Sequence, residues 1–243
     1  MIDYTGAFEK PFIKKNLKSI LIGLAFAIFQ MIPFIGLFFS WTLTGFFLES
    51  TGLGKIKAGK KLPEWKTSII LPYFVKGAAN TAITLIYLIP AILVFAFGAG
   101  SAVMAFLEAV PWDQMVNQTE EQMSATIQPI IQSMLPSIKS AIPFLIISAV
   151  LFIFAMYLVP MAVLTYFKDN KFKSAFDLKR VMRKAFTLRY LLILLITVVV
   201  SIILGSLIGI IPYVGKNIAS FFAGVIGFSL LGQVYIELDK KKK

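Results

Sequence analysis

Apolar residues in this chain come in long, nearly unbroken runs, not in the three-and-four spacing of a helix half-buried on a soluble core. The runs occupy residues 18–50, 78–100, 142–166 and 190–236. A bilayer-crossing helix needs ~20 such residues, so the first and last runs are too long for one span each. Both are interrupted by similar motifs, Ile32-Pro33-Phe34-Ile35-Gly36 and Ile211-Pro212-Tyr213-Val214-Gly215. Proline removes a backbone donor and clashes with the preceding turn, so each motif reads either as a kink in one tilted helix or as the tip of a helical hairpin.

Charge decides between the two. With hairpin tips the spans run over 18–32, 35–50, 78–100, 142–166, 190–211 and 217–236. Of the 24 basic residues, all but Lys139 and Lys216 then fall on one side. They form four groups: Lys10 to Lys18, Lys55 to Lys76, Lys168 to Arg189, and the terminal lysines from Lys240. The kinked reading exports two of these groups, which the positive-inside rule disfavours. The expected architecture is therefore an all-α integral membrane protein with about six transmembrane helices in three hairpins, plus interfacial amphipathic helices, set in a cell membrane with both termini cytoplasmic. The first run lacks the small-residue site of a cleaved signal peptide, so it is expected to stay in the mature chain.

The one long segment on the opposite side, 108–140, carries Glu108, Asp113, Glu120 and Glu121 against a single lysine. Within it Met123, Ile127, Ile130, Ile131, Met134, Leu135 and Ile138 recur at helical spacing, which predicts an amphipathic helix lying on the outer surface. Asn117-Gln118-Thr119 matches a glycosylation acceptor on that side.

Pro33, Gly36 and Gly45 share their spacing with Pro212, Gly215 and Gly224, and Ala7-Phe8-Glu9 resembles Ala175-Phe176-Asp177. Two readings stand. One is a parallel internal repeat with units 1–50 and 172–237 around a central hairpin 62–166, all within a single membrane domain 1–243. The other is chance similarity among aliphatic helices.

Composition narrows the chemistry. The chain is 58% hydrophobic and 15% charged, with no cysteine and no histidine. Disulfides, thiolate nucleophiles and cysteine zinc sites are excluded, and the commonest general base is missing. No carboxylate falls deep within a predicted span; Glu49 and Glu237 are expected at span ends reached by water. No catalytic residue, cofactor or metal site is expected. The net charge of +12 is read as topology and lipid contact, not nucleic-acid binding.

The strongest local candidate is a helix from Phe172 to Arg189. Phe172, Phe176, Met182, Ala185 and Phe186 line one face, and Lys179, Arg180, Arg183 and Lys184 are the expected contacts to anionic lipid. The plainer reading is that these charges only fix orientation. Leu62-Pro63-Glu64-Trp65 reads as an anchor, with proline opening a helix and tryptophan at a headgroup boundary. This motif, with the proline–glycine tips, the Tyr87-Leu88-Ile89-Pro90 span and the Ala175-Phe176-Asp177 helix, resembles an uncharacterised prokaryotic membrane family. The general plan also resembles the membrane portion of some glycerophosphodiester phosphodiesterases, without their soluble catalytic domain. The resemblance implies no activity and no site residue.

Function is expected to be non-enzymatic, organising membrane lipids or a partner membrane protein. The alternative is a passive transporter or channel for an apolar or amphipathic solute. A water-filled path lined by Asn80, Thr84 and Thr165 would mark the second, and a close-packed apolar interior the first.

Overall fold

The computed structural model describes residues 2–54, 61–112 and 119–240. Its regular elements are helices: α1 (Tyr4–Glu9), α2 (Leu17–Phe29), α3 (Ile35–Ser50), α4 (Thr67–Ala109), α5 (Glu120–Asp169), α6 (Leu178–Ala185), α7 (Leu188–Ile208) and α8 (Gly215–Lys240). Short 3-10 turns occur at Lys10–Phe12, Lys14–Asn16 and Phe172–Phe176. Among the described residues, four stretches are long and apolar enough to cross a membrane: Thr67–Gly100, Lys139–Asp169, Leu188–Ile208 and Gly215–Lys240. That length and composition mark a multi-pass membrane protein. Helices α2 and α3 have 13 and 16 residues. At ~1.5 Å per residue they fall short of the ~30 Å hydrocarbon thickness.

Both proline motifs break the chain between helices. The residue after each proline takes a positive φ, 61° at Phe34 and 64° at Tyr213. Ile35 N–H donates to the Pro33 carbonyl and Val214 N–H to the Pro212 carbonyl, each at 2.7 Å. These are γ-turns of the rare positive-φ type, which surrounding structure must hold in place. Glycine then opens or borders the next helix for a steric reason. A Cβ on Gly36 would lie 2.2 Å from the Gln30 carbonyl oxygen, and one on Gly215 would lie 2.2 Å from that of Ile208.

The chain forms two compact units, one of residues up to Thr84 together with those from Leu158 onward, the other of Leu85–Tyr157. In the first, α8 is central and touches α1, α2, α3 and α7. Its most apolar window is 67% buried, against 11% for α7, whose outer face is left to lipid. Aromatic packing fills the core: Phe46 stacks on Trp65 at 4.7 Å, and Trp65 meets Tyr73 edge-on at 5.6 Å. Helices α3 and α4 cross backbone to backbone. A Cβ on Gly45 would lie 2.0 Å from the Tyr73 carbonyl oxygen, and one on Gly77 1.8 Å from that of Trp41. This close approach of small residues is how apolar helices associate without a hydrophobic force between them.

In the second unit, Ser148 Oγ donates to the Ala91 carbonyl at 2.9 Å, and Gly98 gives room to Phe144. The amphipathic stretch expected as a separate surface helix is instead the start of α5, which continues unbroken for 50 residues to Asp169. That is ~75 Å of helix, more than twice the hydrocarbon thickness, so most of its first half lies beyond one span. Pro129, Pro136 and Pro143 stand inside this helix, whereas Pro33 and Pro212 end theirs. Asp113 and most of the Asn117 acceptor triplet lie outside the described residues, as does the lysine group 55–60.

Candidate functional site

The basic segment after α5 is not one helix. A 3-10 turn over Phe172–Phe176 gives way to α6, whose start is capped by the Asp177 carboxylate accepting from Arg180 N–H at 3.1 Å. The segment breaks again at Phe186, and Thr187 caps α7 by accepting from Tyr190 N–H at 3.3 Å. Asp and Thr offer this alternative to continued helix wherever they precede a new first turn.

These caps turn the four expected lipid contacts in two directions. Lys179 and Arg183 are exposed. Arg180 instead pairs with Asp169 and donates to the Tyr235 hydroxyl at 3.0 Å. Lys184 is buried, donates to Asp239 at 2.7 Å and sits 3.4 Å from the centroid of the Tyr235 ring. Arg189, a few residues on, pairs with Glu237. Three cations of this segment thus clamp the end of α8, and Tyr235 lies between two of them.

Two other expectations change. Glu49, placed by sequence at a watery helix end, is 7% exposed and paired with Lys76, which also lies over the Phe167 ring at 5.0 Å. Residues 61–66 are not helical, and Trp65 faces the core rather than a headgroup boundary. Its Nε1 donates to the Ser19 carbonyl at 2.9 Å, Ser19 Oγ donates to the Pro63 carbonyl at 2.8 Å, and Leu62 N–H donates to Asn16 Oδ1 at 2.9 Å. The Leu62–Trp65 motif is therefore a clip that fastens the start of α4 to the start of α2. Glu64 alone faces outward, and Lys61 and Lys66 beside it hold its carboxyl below the usual carboxylate range.

Sequence reading missed one feature, a cavity of about 230 Å³ whose mixed lining includes Asp3, Lys10, Ser50, Ser229, Gln233 and Glu237. Lys10 is 4% exposed. Its ammonium donates to the Ser50 carbonyl at 2.7 Å and to Ser229 Oγ at 3.2 Å. No carboxylate pairs with it among the described residues, and burial pushes its pKa down to about 8. The pairing with Ser229 bridges 219 positions, and no local pattern announces it.

The pattern of the family described as protein of unknown function (DUF4013) matches residues 25–213, most of the 243-residue chain. The chain belongs to the DUF4013 family. The DUF4013 match takes in α3, α4, α5, α6 and α7, together with the Leu62–Trp65 clip and the whole basic segment. No curated protein and no solved structure matches.

Proposed function

We propose that this protein is a non-enzymatic, multi-pass component of the cell membrane that organises lipid at its cytoplasmic surface. The observation that carries the reading is the outward face of the segment 172–188. There Lys179 and Arg183 stand beside exposed Phe172, Leu178, Met182, Phe186 and Leu188, with Phe186 at 59% and Leu188 at 71% exposure. An apolar surface interleaved with cations suits the boundary between acyl chains and anionic headgroups. The inward ion pairs support the same reading, because they hold that face in one orientation.

In this arrangement α2 and α3 form a short, locally thinned pair of spans, giving about six crossings in hairpins with both termini inside. A conduit has less support. The Thr84 and Thr165 hydroxyls donate to the carbonyls of Asn80 and Met161 on their own helices, so neither is held out towards an open path.

The test is lipid selectivity in nanodiscs of mixed neutral and anionic phospholipid. Replacing Lys179 and Arg183 by glutamine should reduce enrichment of the anionic lipid around the protein severalfold, and added salt should have the same effect on the wild type. Unchanged enrichment in the double variant overturns the proposal.

A further inference from the structure

We propose that the cavity around Lys10 is a binding site for a tetrahedral oxyanion, either free or as the phosphate of a lipid headgroup, with the Lys10 ammonium as its main ligand. The argument starts from a contrast within one unit. Lys76, Arg180, Lys184 and Arg189 each meet a carboxylate, on Glu49, Asp169, Asp239 and Glu237 respectively. Lys10 is as buried as Lys184, yet both of its acceptors are neutral oxygens. An ammonium has three N–H donors, and these two bonds leave the third for an occupant of the cavity. A buried charge without a counter-ion is costly, so an arriving anion recovers Coulomb energy in a site already built to hold the cation.

Of the two lining carboxylates, Glu237 is paired with Arg189, and Asp3, which accepts from Gly6 N–H at 2.7 Å, is the one that keeps an unbalanced negative charge at the cavity. Lys240 adds a second, exposed cation at the margin. The volume is below the ~300–1,000 Å³ of sites for drug-sized molecules, which favours a small polyatomic anion or a headgroup phosphate. Lysine binds such groups as a point charge, without the fork geometry of arginine. The ammonium is mostly charged at neutral pH, and binding should weaken as pH rises through about 8. Asp3, Glu237 and Lys240 face the same cavity, so the pH profile is compared with that of Lys240→Gln to isolate Lys10.

This site is separate from the outward face of Lys179 and Arg183, and its test is read separately. The probes are sulfate, added to protein in neutral detergent, and phosphatidylglycerol in phosphatidylcholine nanodiscs; both keep a constant charge between pH 7 and 9. Two readouts serve: affinity by calorimetry or thermal shift, and the acetylation rate of Lys10 by mass spectrometry in the unmutated protein. The expected result is that an oxyanion protects Lys10 from acetylation and that Lys10→Met weakens its binding at least tenfold. Lys179→Gln with Arg183→Gln should leave this protection in place. Protection by sulfate alone identifies a free anion, by phosphatidylglycerol alone a lipid headgroup, and by both a site open to either. Protection by neither overturns the inference, as does equal affinity in Lys10→Met.

Discussion

The side-chain amide of Gln30 donates to the side-chain carbonyl of Asn217 at 3.1 Å, joining the two γ-turns although 187 positions separate them in the chain. Each partner lies within a few residues of a strained turn, so the bond helps hold both backbones in their positive-φ conformation. A double-mutant cycle of Gln30→Ala and Asn217→Ala should give a coupling energy of about 0.5–1.5 kcal/mol, read from unfolding in detergent. Strict additivity would show that the turns are held independently.

The crossing of α3 and α4 predicts a steric limit. Gly45 and Gly77 each face the backbone of the opposite helix, where no flexible side chain can give way. Gly77→Leu should destabilise the protein by on the order of 3 kcal/mol, at the upper end of overpacking costs, whereas Gly100→Ala, with open space around its Cβ position, should be tolerated. Equal melting temperatures for the two variants would contradict the crossing.

Inward and outward cations should separate in a stability assay. Lys184→Gln strips the partner of Asp239 and the cation from the Tyr235 ring, and should lower the melting temperature by several degrees. Lys179→Gln and Arg183→Gln should leave it unchanged, since both residues are exposed. Their effect belongs in the lipid assay alone.

Lys10 predicts how stability depends on pH. Its folded pKa of about 8 lies below the 10.5 of an ordinary lysine, so between these two limits the unfolded chain holds the proton that the folded chain has released. Stability therefore rises with pH across that window, with a Lys10 contribution on the order of 3 kcal/mol. Thermal unfolding in detergent from pH 7 to 10, without sulfate or phosphate, should show this rise in the wild type and lose it in Lys10→Met.

Topology has a direct readout because the chain has no native cysteine. A cysteine replacing exposed Lys61 should react with an impermeant maleimide only after cells are opened. Reaction in intact cells would invert the proposed orientation.

The fold was legible where the cause is local. Pro33 and Pro212 lack an N–H, and glycine follows three residues later, so both breaks could be read from the chain itself. Asp177 and Thr187 were equally visible as caps, but the hydrophobic spacing from Phe172 to Phe186 suggested one helix and hid them. What could not be read depends on distant partners. Trp65 looks like an interfacial anchor until Phe26 and Phe46 are brought against it, each at 4.7 Å. Arg180 and Lys184 look like surface charges until the end of α8 supplies Asp239 and Tyr235. The Lys10 cavity has the same cause, since the chain brings together both of its ends to build it.

That split construction bears on biogenesis. Ser50, one acceptor of the Lys10 ammonium, is made before the Leu85–Tyr157 unit, whereas Ser229 and the rest of α8 are made only after that whole unit. Until α8 inserts, α2 and α3 lack their central neighbour and Phe221 is not there to fill the space beside Gly23. The first unit must therefore wait in the membrane as two unfinished halves, and a nascent chain stalled before Gly215 would leave Lys10 without its Ser229 partner and the aromatic seam at Phe46 open.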